Sequence, residues 1–176
     1  MKASSFREAG VGVRLDAGDL FAAHAPYVAS LAYRMLGRDD LVDDLVQDVF
    51  VLAIRRLDVI IEPQAVRAWL ARVTVRLAGK RLKRRRLAVF LGFDDTVVPD
   101  EDLASPQATP EERMLLTQVY QLLEQVPVDE RLAWTLRHVE GMRLEEVAEA
   151  CGCSLATVKR RIARAGAHVE RSVNAD

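Results

Sequence analysis

The sequence of 176 residues has few of the residues that cross-link small proteins or hold metals. Its two cysteines and three histidines are too few for a disulfide framework or a clustered zinc site. Its longest apolar runs are a few residues long, whereas a bilayer span needs about 20. The segment Met1–Ser5 contains no apolar stretch of the kind found in secretion signals. We therefore expect a cytoplasmic protein with no metal site.

Patterns typical of strands and of catalytic sites are also scarce. Aromatic residues make up 6% of the chain, with nine glycines and six prolines, which favours helices over a β-sandwich or barrel. No GxSxG, P-loop or HExxH motif occurs, and the three histidines have no clustered partners. We expect an all-α fold with no cofactor, and an enzyme is the least favoured class of function.

The charges nearly cancel in total, with 25 basic and 26 acidic side chains, but they are sorted along the chain. Five aspartates lie within 38–48, and nine basic residues with no acidic ones lie within 63–92. Seven acidic residues and three prolines, with no basic residue, lie within 93–112, which is typical of a solvated linker. We predict two small helical domains, at 16–92 and 110–172, joined by a flexible acidic linker at 93–109.

Apolar residues spaced by three and four predict the helices of the first domain. Asp19 is a candidate N-cap for the first helix, and Pro26 is expected to break or bend it. An apolar stripe between 42 and 57 predicts the second helix. The third is expected to begin near Pro63 and to end near Gly92.

The second domain contains stronger helix signals. The segment Thr109–Glu112 has the pattern of a capping box with proline at the first helical position. Pro127 is expected to interrupt the helix that follows, and Gly141 to close the next one. A short helix is predicted over 144–151.

This short helix, a turn at Gly152 and a basic helix capped by Ser154 are the parts of a helix-turn-helix. In that motif the second helix enters the major groove of DNA. The alternative interpretation is that these basic residues form the solvated end of an ordinary helix and do not contact DNA. The candidate DNA-binding side chains are Thr157, Lys159, Arg160, Arg161 and Arg164.

Four further features have two interpretations each. The run at 76–86 has seven basic residues in eleven, and it either binds phosphates or forms a solvated face. Trp69 either stacks on an unpaired base or packs in the core. The acidic helix around 43–50 either docks on a basic partner or is simply solvated. Cys151 and Cys153, at the helix-turn-helix corner, suggest redox sensing or buried thiols.

Together, four segments resemble the extracytoplasmic-function sigma factors, the compact bacterial RNA polymerase sigma subunits. The segment Asp44–Phe50 is similar to the DLVQEVF stretch of region 2, and Val66–Leu70 to the FxxWL that follows. Gly141–Ala148 resembles the GxSxEEIA of region 4, and Thr157–Ala165 resembles TVKSRLxRA. The resemblance covers most of the chain in the order of the family.

The resemblance implies a sigma factor that binds core RNA polymerase, including the largest-subunit clamp helices and the flap, and directs it to promoters. It also implies that an anti-sigma factor is a possible partner. The implied core-docking residues are Asp44, Gln47, Asp48 and Phe50. The implied −10 residues are Trp69, Arg72, Arg76, Lys80, Lys83 and Arg84. The implied −35 residues are those named for the helix-turn-helix.

The chain also departs from the family pattern. The loop at 58–63 lacks the aromatic that the family often has there, and Arg143 stands where a capping serine is usual. Two other classes of function stay open on the residues alone. One is an autonomous DNA-binding regulator that binds a palindromic duplex by itself, and the other is an interaction module that never contacts DNA.

Overall fold

The computed structural model describes residues 16–37, 41–56, 63–93 and 109–173. These ranges contain helices and no strand, so the prediction of an all-α fold is confirmed. Residues 94–108 of the predicted linker and residues 58–62 of the loop before α3 lie outside the described residues. The helices are α1 (Ala17–Leu36), α2 (Val42–Ile54), α3 (Pro63–Phe90), α4 (Pro110–Gln125), α5 (Val128–His138), α6 (Leu144–Cys151) and α7 (Leu155–Val173).

Helix α1 differs from the prediction in two ways. Its N-cap is Asp16, whose carboxylate accepts a hydrogen bond of 2.9 Å from the Gly18 N–H, and not Asp19, which lies within the first turn. Pro26 neither breaks nor ends the helix, which continues to Gly37 at a φ of 74°. Pro26 lies on the exposed face, where solvent can satisfy the carbonyl that loses its helical partner. The packing of the buried face of α1, from Leu20 to Leu36, stabilises the helix on both sides of Pro26.

Helices α1, α2 and α3 pack against one another and form the first domain. The predicted stripe of α2 is buried at Leu45, Val49 and Ala53, as an amphipathic helix requires. On α3, Val66 and Leu70 are buried in the same cluster. The first domain is therefore the three-helix bundle that the apolar spacing indicates.

The second domain begins with the predicted capping box. The Thr109 hydroxyl accepts from the Glu112 N–H at 3.2 Å, and the Glu112 carboxylate accepts from the Thr109 N–H at 2.8 Å. Pro127 separates α4 from α5, as expected. A short buried cluster, Leu123, Val126, Ala165 and Val169, packs α4 against α7.

The two domains share one continuous core, which the sequence does not reveal. Helix α3 lies against both α5 and α6, and the main buried cluster includes side chains from Leu20 to Val158. At the crossing of α3 with α5, a Cβ added to Gly79 would lie 3.0 Å from Cδ1 of Leu132. The absence of a side chain at Gly79 therefore lets the two helices approach closely.

A buried arginine also joins the domains. Arg131 on α5 is 4% exposed, and its guanidinium donates to the carbonyl oxygens of Met35 at 3.1 Å and Leu36 at 3.4 Å. These carbonyls end α1 and have no helical partner. Burial lowers the pKa of Arg131, and the Glu124 carboxylate, 3.7 Å away, opposes that shift. Arg131 thus caps a helix of the other domain.

We predict that Arg131→Leu lowers the free energy of unfolding of the chain by about 1–3 kcal/mol, because the buried carbonyls of Met35 and Leu36 lose their hydrogen-bond donor. Urea unfolding followed by tryptophan fluorescence would measure the change. The matched control is Arg160→Leu, since Arg160 is exposed and has no side-chain hydrogen bond or ion pair among the described residues. Equal unfolding midpoints for the two variants would contradict this role of Arg131.

Candidate nucleic-acid interface

The helix-turn-helix consists of α6, the turn at Gly152 and α7. Gly152 has a φ of 61°, a left-handed conformation that favours glycine. The Ser154 hydroxyl accepts from the Thr157 N–H at 3.2 Å and caps α7, as predicted. Arg143 supplies no side-chain cap to α6, but its N–H donates to the Glu146 carboxylate at 2.7 Å. The motif therefore keeps half of a capping box.

The five candidate side chains of α7 have different environments. Lys159 and Arg160 are exposed and have no ion pair among the described residues. Thr157 is half-buried, with its hydroxyl 2.9 Å from that of Ser154. These positions leave Lys159 and Arg160 the freest of the five to contact DNA.

The other two candidates on α7 are paired with carboxylates of α5. Nη2 of Arg161 lies 3.5 Å from the Asp129 carboxylate, and Nη1 of Arg164 lies 3.5 Å from the Glu130 carboxylate. Arg161 is half-buried and also places Nη1 3.4 Å from Sγ of Cys153. Each guanidinium therefore has one nitrogen near a carboxylate, while the Arg164 side chain remains 65% exposed.

The basic face of α3 lines a cleft of about 890 Å³ between the two domains. Trp69 is half-buried in the wall of this cleft and also packs against the core. This position is compatible both with stacking on an unpaired base and with a role in the core. The −10 candidates that line the cleft are Trp69, Arg72, Arg76, Lys80, Lys83 and Arg84. The structure thus brings all six together on one face.

Two of these cations are paired across the cleft with the second domain. Nη1 of Arg72 lies 3.3 Å from the Glu149 carboxylate, and Nζ of Lys83 lies 2.8 Å from the Asp129 carboxylate. The sequence has no acidic residue within 63–92, so the basic face of α3 has no ion-pair partner on its own helix. Its partners come from helices far along the chain.

Helix α2 presents a different surface to solvent. Asp44, Gln47, Val51 and Ile54 follow one another by three and four residues and are all exposed, so they form one stripe. The sequence analysis missed Val51 and Ile54, which are 47% and 49% exposed. Their spacing from Asp44 was the signal that could have identified them. The stripe is polar at its start and apolar at its end.

The other two core-docking candidates are already engaged within the chain. Asp48 accepts from Nη2 of Arg81 at 2.7 Å, which ties α2 to α3. Phe50 is 3% exposed and makes an edge-on contact with Phe21, with ring centroids 4.8 Å apart. Phe50 is adjacent to Val49 on the buried side of α2 and is therefore a core residue, whereas Phe21 is 48% exposed.

The cysteines occupy half-buried positions at the end of α6 and in the turn. Burial raises the pKa of the Cys151 thiol to about 11, with a smaller contribution from Cys153. No group of three or more potential metal ligands occurs in the described part of the chain. No described helix is long and apolar enough to cross a bilayer.

Family models agree with this architecture. The model of sigma-70 region 2 matches residues 20–87, and the model of sigma-70 region 4 matches residues 116–169. The first match covers α1 to α3 and the second covers the helix-turn-helix. The fold and the two matches define a sigma-70 type protein with regions 2 and 4.

Curated relatives narrow the class. The chain is 33% identical over 157 residues to the ECF RNA polymerase sigma-E factor of Escherichia coli K12, covering 83% of this chain and 80% of the relative. It is 29% identical over 163 residues to that of Haemophilus influenzae, covering 83% and 81%. The chain therefore belongs to the ECF sigma factors of the sigma-70 family, alternative sigma factors that direct promoter-specific transcription initiation.

Two solved structures with a similar fold are sigma factors bound to anti-sigma factors. CnrH, in complex with the cytosolic domain of CnrY, has a TM-score of 0.62 and 29% identity, covering 91% of this chain and 88% of that one. RpoE of Bartonella quintana, in complex with NepR, has a TM-score of 0.65 and 22% identity, covering 89% and 95%. The second likeness concerns the fold alone.

We predict that Cys151 is nearly inert at neutral pH. With a pKa of about 11, its thiolate fraction at pH 8 is roughly 200-fold below that of a free cysteine with a pKa near 8.5. In a Cys153→Ser chain, iodoacetamide alkylation should be slow when the chain is folded and fast in urea. The rate for the folded chain should rise about tenfold per pH unit and level off only near pH 11. Equal rates in both states would support a reactive redox thiol instead.

Proposed function

We propose that this chain initiates transcription through three separate surfaces and by binding alone. Helix α2 docks on core RNA polymerase, α3 captures the −10 element and α7 reads the −35 element. The observation that carries this proposal is the exposed basic face of α7 behind a glycine turn and a serine cap, the geometry with which a helix enters the major groove. No step makes or breaks a bond.

The docking surface on α2 is the stripe of Asp44, Gln47, Val51 and Ile54. The acidic end of the stripe would attract a basic groove on the partner. The apolar end would bury hydrophobic surface once α2 is docked. The family resemblance points to the clamp helices of the largest polymerase subunit as that groove. Phe50 supports this surface from the core, by packing against Phe21.

The DNA surfaces differ in what they can recognise. On α3, cations would neutralise phosphates, and Trp69 at the cleft wall offers a stacking face for an unpaired base. On α7, Lys159 and Arg160 can reach guanine edges as well as phosphates. This difference suits a protein whose first domain holds a single strand of melted DNA and whose second domain binds duplex DNA.

Partners and location follow from the relatives. Because the similar sigma factors CnrH and RpoE are bound by anti-sigma factors, we include an anti-sigma factor among the partners of this chain. Core polymerase and its flap, together with promoter DNA, are the others. A cytoplasmic location accords with all of them.

The proposed function predicts initiation from a shared two-part promoter only when chain and bacterial core polymerase are mixed. A random promoter library, transcribed and sequenced, would measure this. Asp44→Lys should abolish initiation because it reverses the charge of the docking stripe. The matched control is Glu170→Lys, an exposed reversal on α7 without a paired partner in the described chain. Binding of duplex DNA without any redirection of core would favour the autonomous regulator.

The helix-turn-helix surface has its own test. Arg160→Gln should weaken binding to a −35 duplex by about 1–3 kcal/mol and relax the preference at one base pair. Arg171→Gln, at the far end of the same helix, serves as the control and should change neither quantity. Fluorescence anisotropy at several salt concentrations would measure both. Unchanged affinity in Arg160→Gln would remove this face of α7 from the interface.

A further inference from the structure

A second cavity lies where α3 meets the end of α4 and the start of α5. Its volume is about 440 Å³, a size typical of small-molecule sites. Its described lining includes none of the core-docking, −10 or −35 candidates. Part of its wall is apolar and is formed by Leu82, Val89, Val126 and Val128. We call it the arginine pocket, because three guanidinium groups also line it, those of Arg85, Arg86 and Arg131.

The positive charge of the arginine pocket exceeds its negative charge. Among the described residues, its lining includes a single carboxylate, that of Glu124. Oε1 of Glu124 lies 3.5 Å from Nη1 of Arg85 and 3.7 Å from Nη1 of Arg131. Both distances exceed the length of about 2.7–2.9 Å that is typical of a charge-assisted hydrogen bond. Arg86 donates instead to the carbonyl of Val126 at 2.8 Å. Three cations therefore surround one carboxylate.

Burial makes this excess of positive charge costly. Arg131 is 4% exposed, and the side chain of Arg85 is 14% exposed. Nε of each arginine is buried and has no hydrogen-bond partner among the described residues, whereas buried polar groups are nearly always paired. Burial lowers the pKa of Arg131, the Glu124 carboxylate opposes this shift, and the Arg85 guanidinium adds to it. A second anion in the pocket would offset this cost.

We propose that the arginine pocket binds a small carboxylate that carries an apolar chain. The carboxylate would supply the second negative charge beside Arg85 and Arg131, since a planar guanidinium suits a carboxylate well. The apolar chain would cover the valine and leucine wall. This site is independent of the proposed function, because its residues belong to none of the surfaces assigned to polymerase or DNA.

An occupant would contact both domains, because α3 belongs to the first and α4 and α5 belong to the second. A ligand that binds only the folded chain raises its stability in proportion to its occupancy. Binding should therefore be visible as a higher unfolding temperature of the full chain.

Probe ligands of equal chain length separate charge from hydrophobicity. Octanoate, octanol and octylammonium would each be titrated into the full chain below their micelle concentrations and followed by calorimetry and thermal unfolding. Octanoate should bind about tenfold or more tightly than octanol, and octylammonium should bind most weakly of the three. Acetate, which lacks the chain, should also bind about tenfold or more weakly than octanoate. Equal affinities for octanoate and octanol, or for octanoate and acetate, would overturn the proposal.

The variant Arg85→Met removes one cation and keeps an unbranched side chain. It should weaken octanoate binding by about tenfold and leave octanol binding within about twofold, so that the preference for the anion is lost. Damage to the fold would weaken both ligands alike. The matched control is Arg171→Met, which alters an exposed arginine of α7 outside the pocket. A preference for octanoate that persists in Arg85→Met would contradict the site.

A pair of glutamines on α4 tests the position of the site. Gln121 lines the pocket, whereas Gln118, about one turn earlier and also exposed, does not. Gln121→Glu adds a carboxylate at the pocket and should weaken octanoate binding by about two- to fivefold. Gln118→Glu adds the same charge and should have a smaller effect. Equal weakening in both variants would mean that octanoate responds only to the general charge of the chain, and the pocket would be rejected.

Acidic residues of the chain itself are the rival source of the anion. The segment that follows α3 includes Asp94 and Asp95. If octanoate binds only after both are changed to asparagine, the pocket belongs to the chain's own carboxylates and the proposal fails. Circular dichroism would confirm that each variant folds. Initiation by the parent chain with core polymerase tests the sigma function separately, so either proposal can fail while the other stands.

Discussion

The buried guanidinium of Arg131 is the interaction on which the arrangement of the two domains depends. It replaces the missing helical donors at the end of α1, and it is itself shielded by the aromatic ring of Tyr120, with 5.9 Å from Cζ to the ring centroid. Tyr120 adds a second link, since its hydroxyl donates to the carbonyl of Arg34 at 2.7 Å. These contacts fix α1 to α4 and α5. Helix α3 lies along α5 and α6, and its basic face lines the cleft between the domains.

The charges of the closed chain therefore serve two purposes. The cations of α3 and α7 are suited to phosphate, yet within the closed chain several of them are neutralised by carboxylates of α5 and α6. The formal charge of −1 hides this match, because the acidic partners are distributed over the second domain. The docking stripe of α2 is outside this network and stays open to solvent.

The sequence predicts the helices well and their assembly poorly, for physical reasons. Apolar spacing and caps are local, so the capping box at Thr109 and the turn at Gly152 could be identified from a few residues. Pro26 does not break α1, because one lost hydrogen bond matters less than the buried face of the helix. The contact of Lys83 with Asp129 joins residues 46 positions apart in sequence, and no local pattern reveals such a pair. Phe50 was a docking candidate only through the resemblance, and its place on the apolar stripe of α2 agrees with its burial.

Gly79 has a consequence that reaches beyond packing. A glycine within a helix normally costs stability relative to alanine, so its place in α3 reflects the closeness of Leu132 on the other side. A side chain at this position would crowd Leu132 on the facing helix, and this contact involves no charged group. Substitutions of increasing size at residue 79 would push against Leu132 and widen the distance between α3 and α5 through steric repulsion alone. Position 79 thus offers a way to separate the geometry of the cleft from its electrostatics.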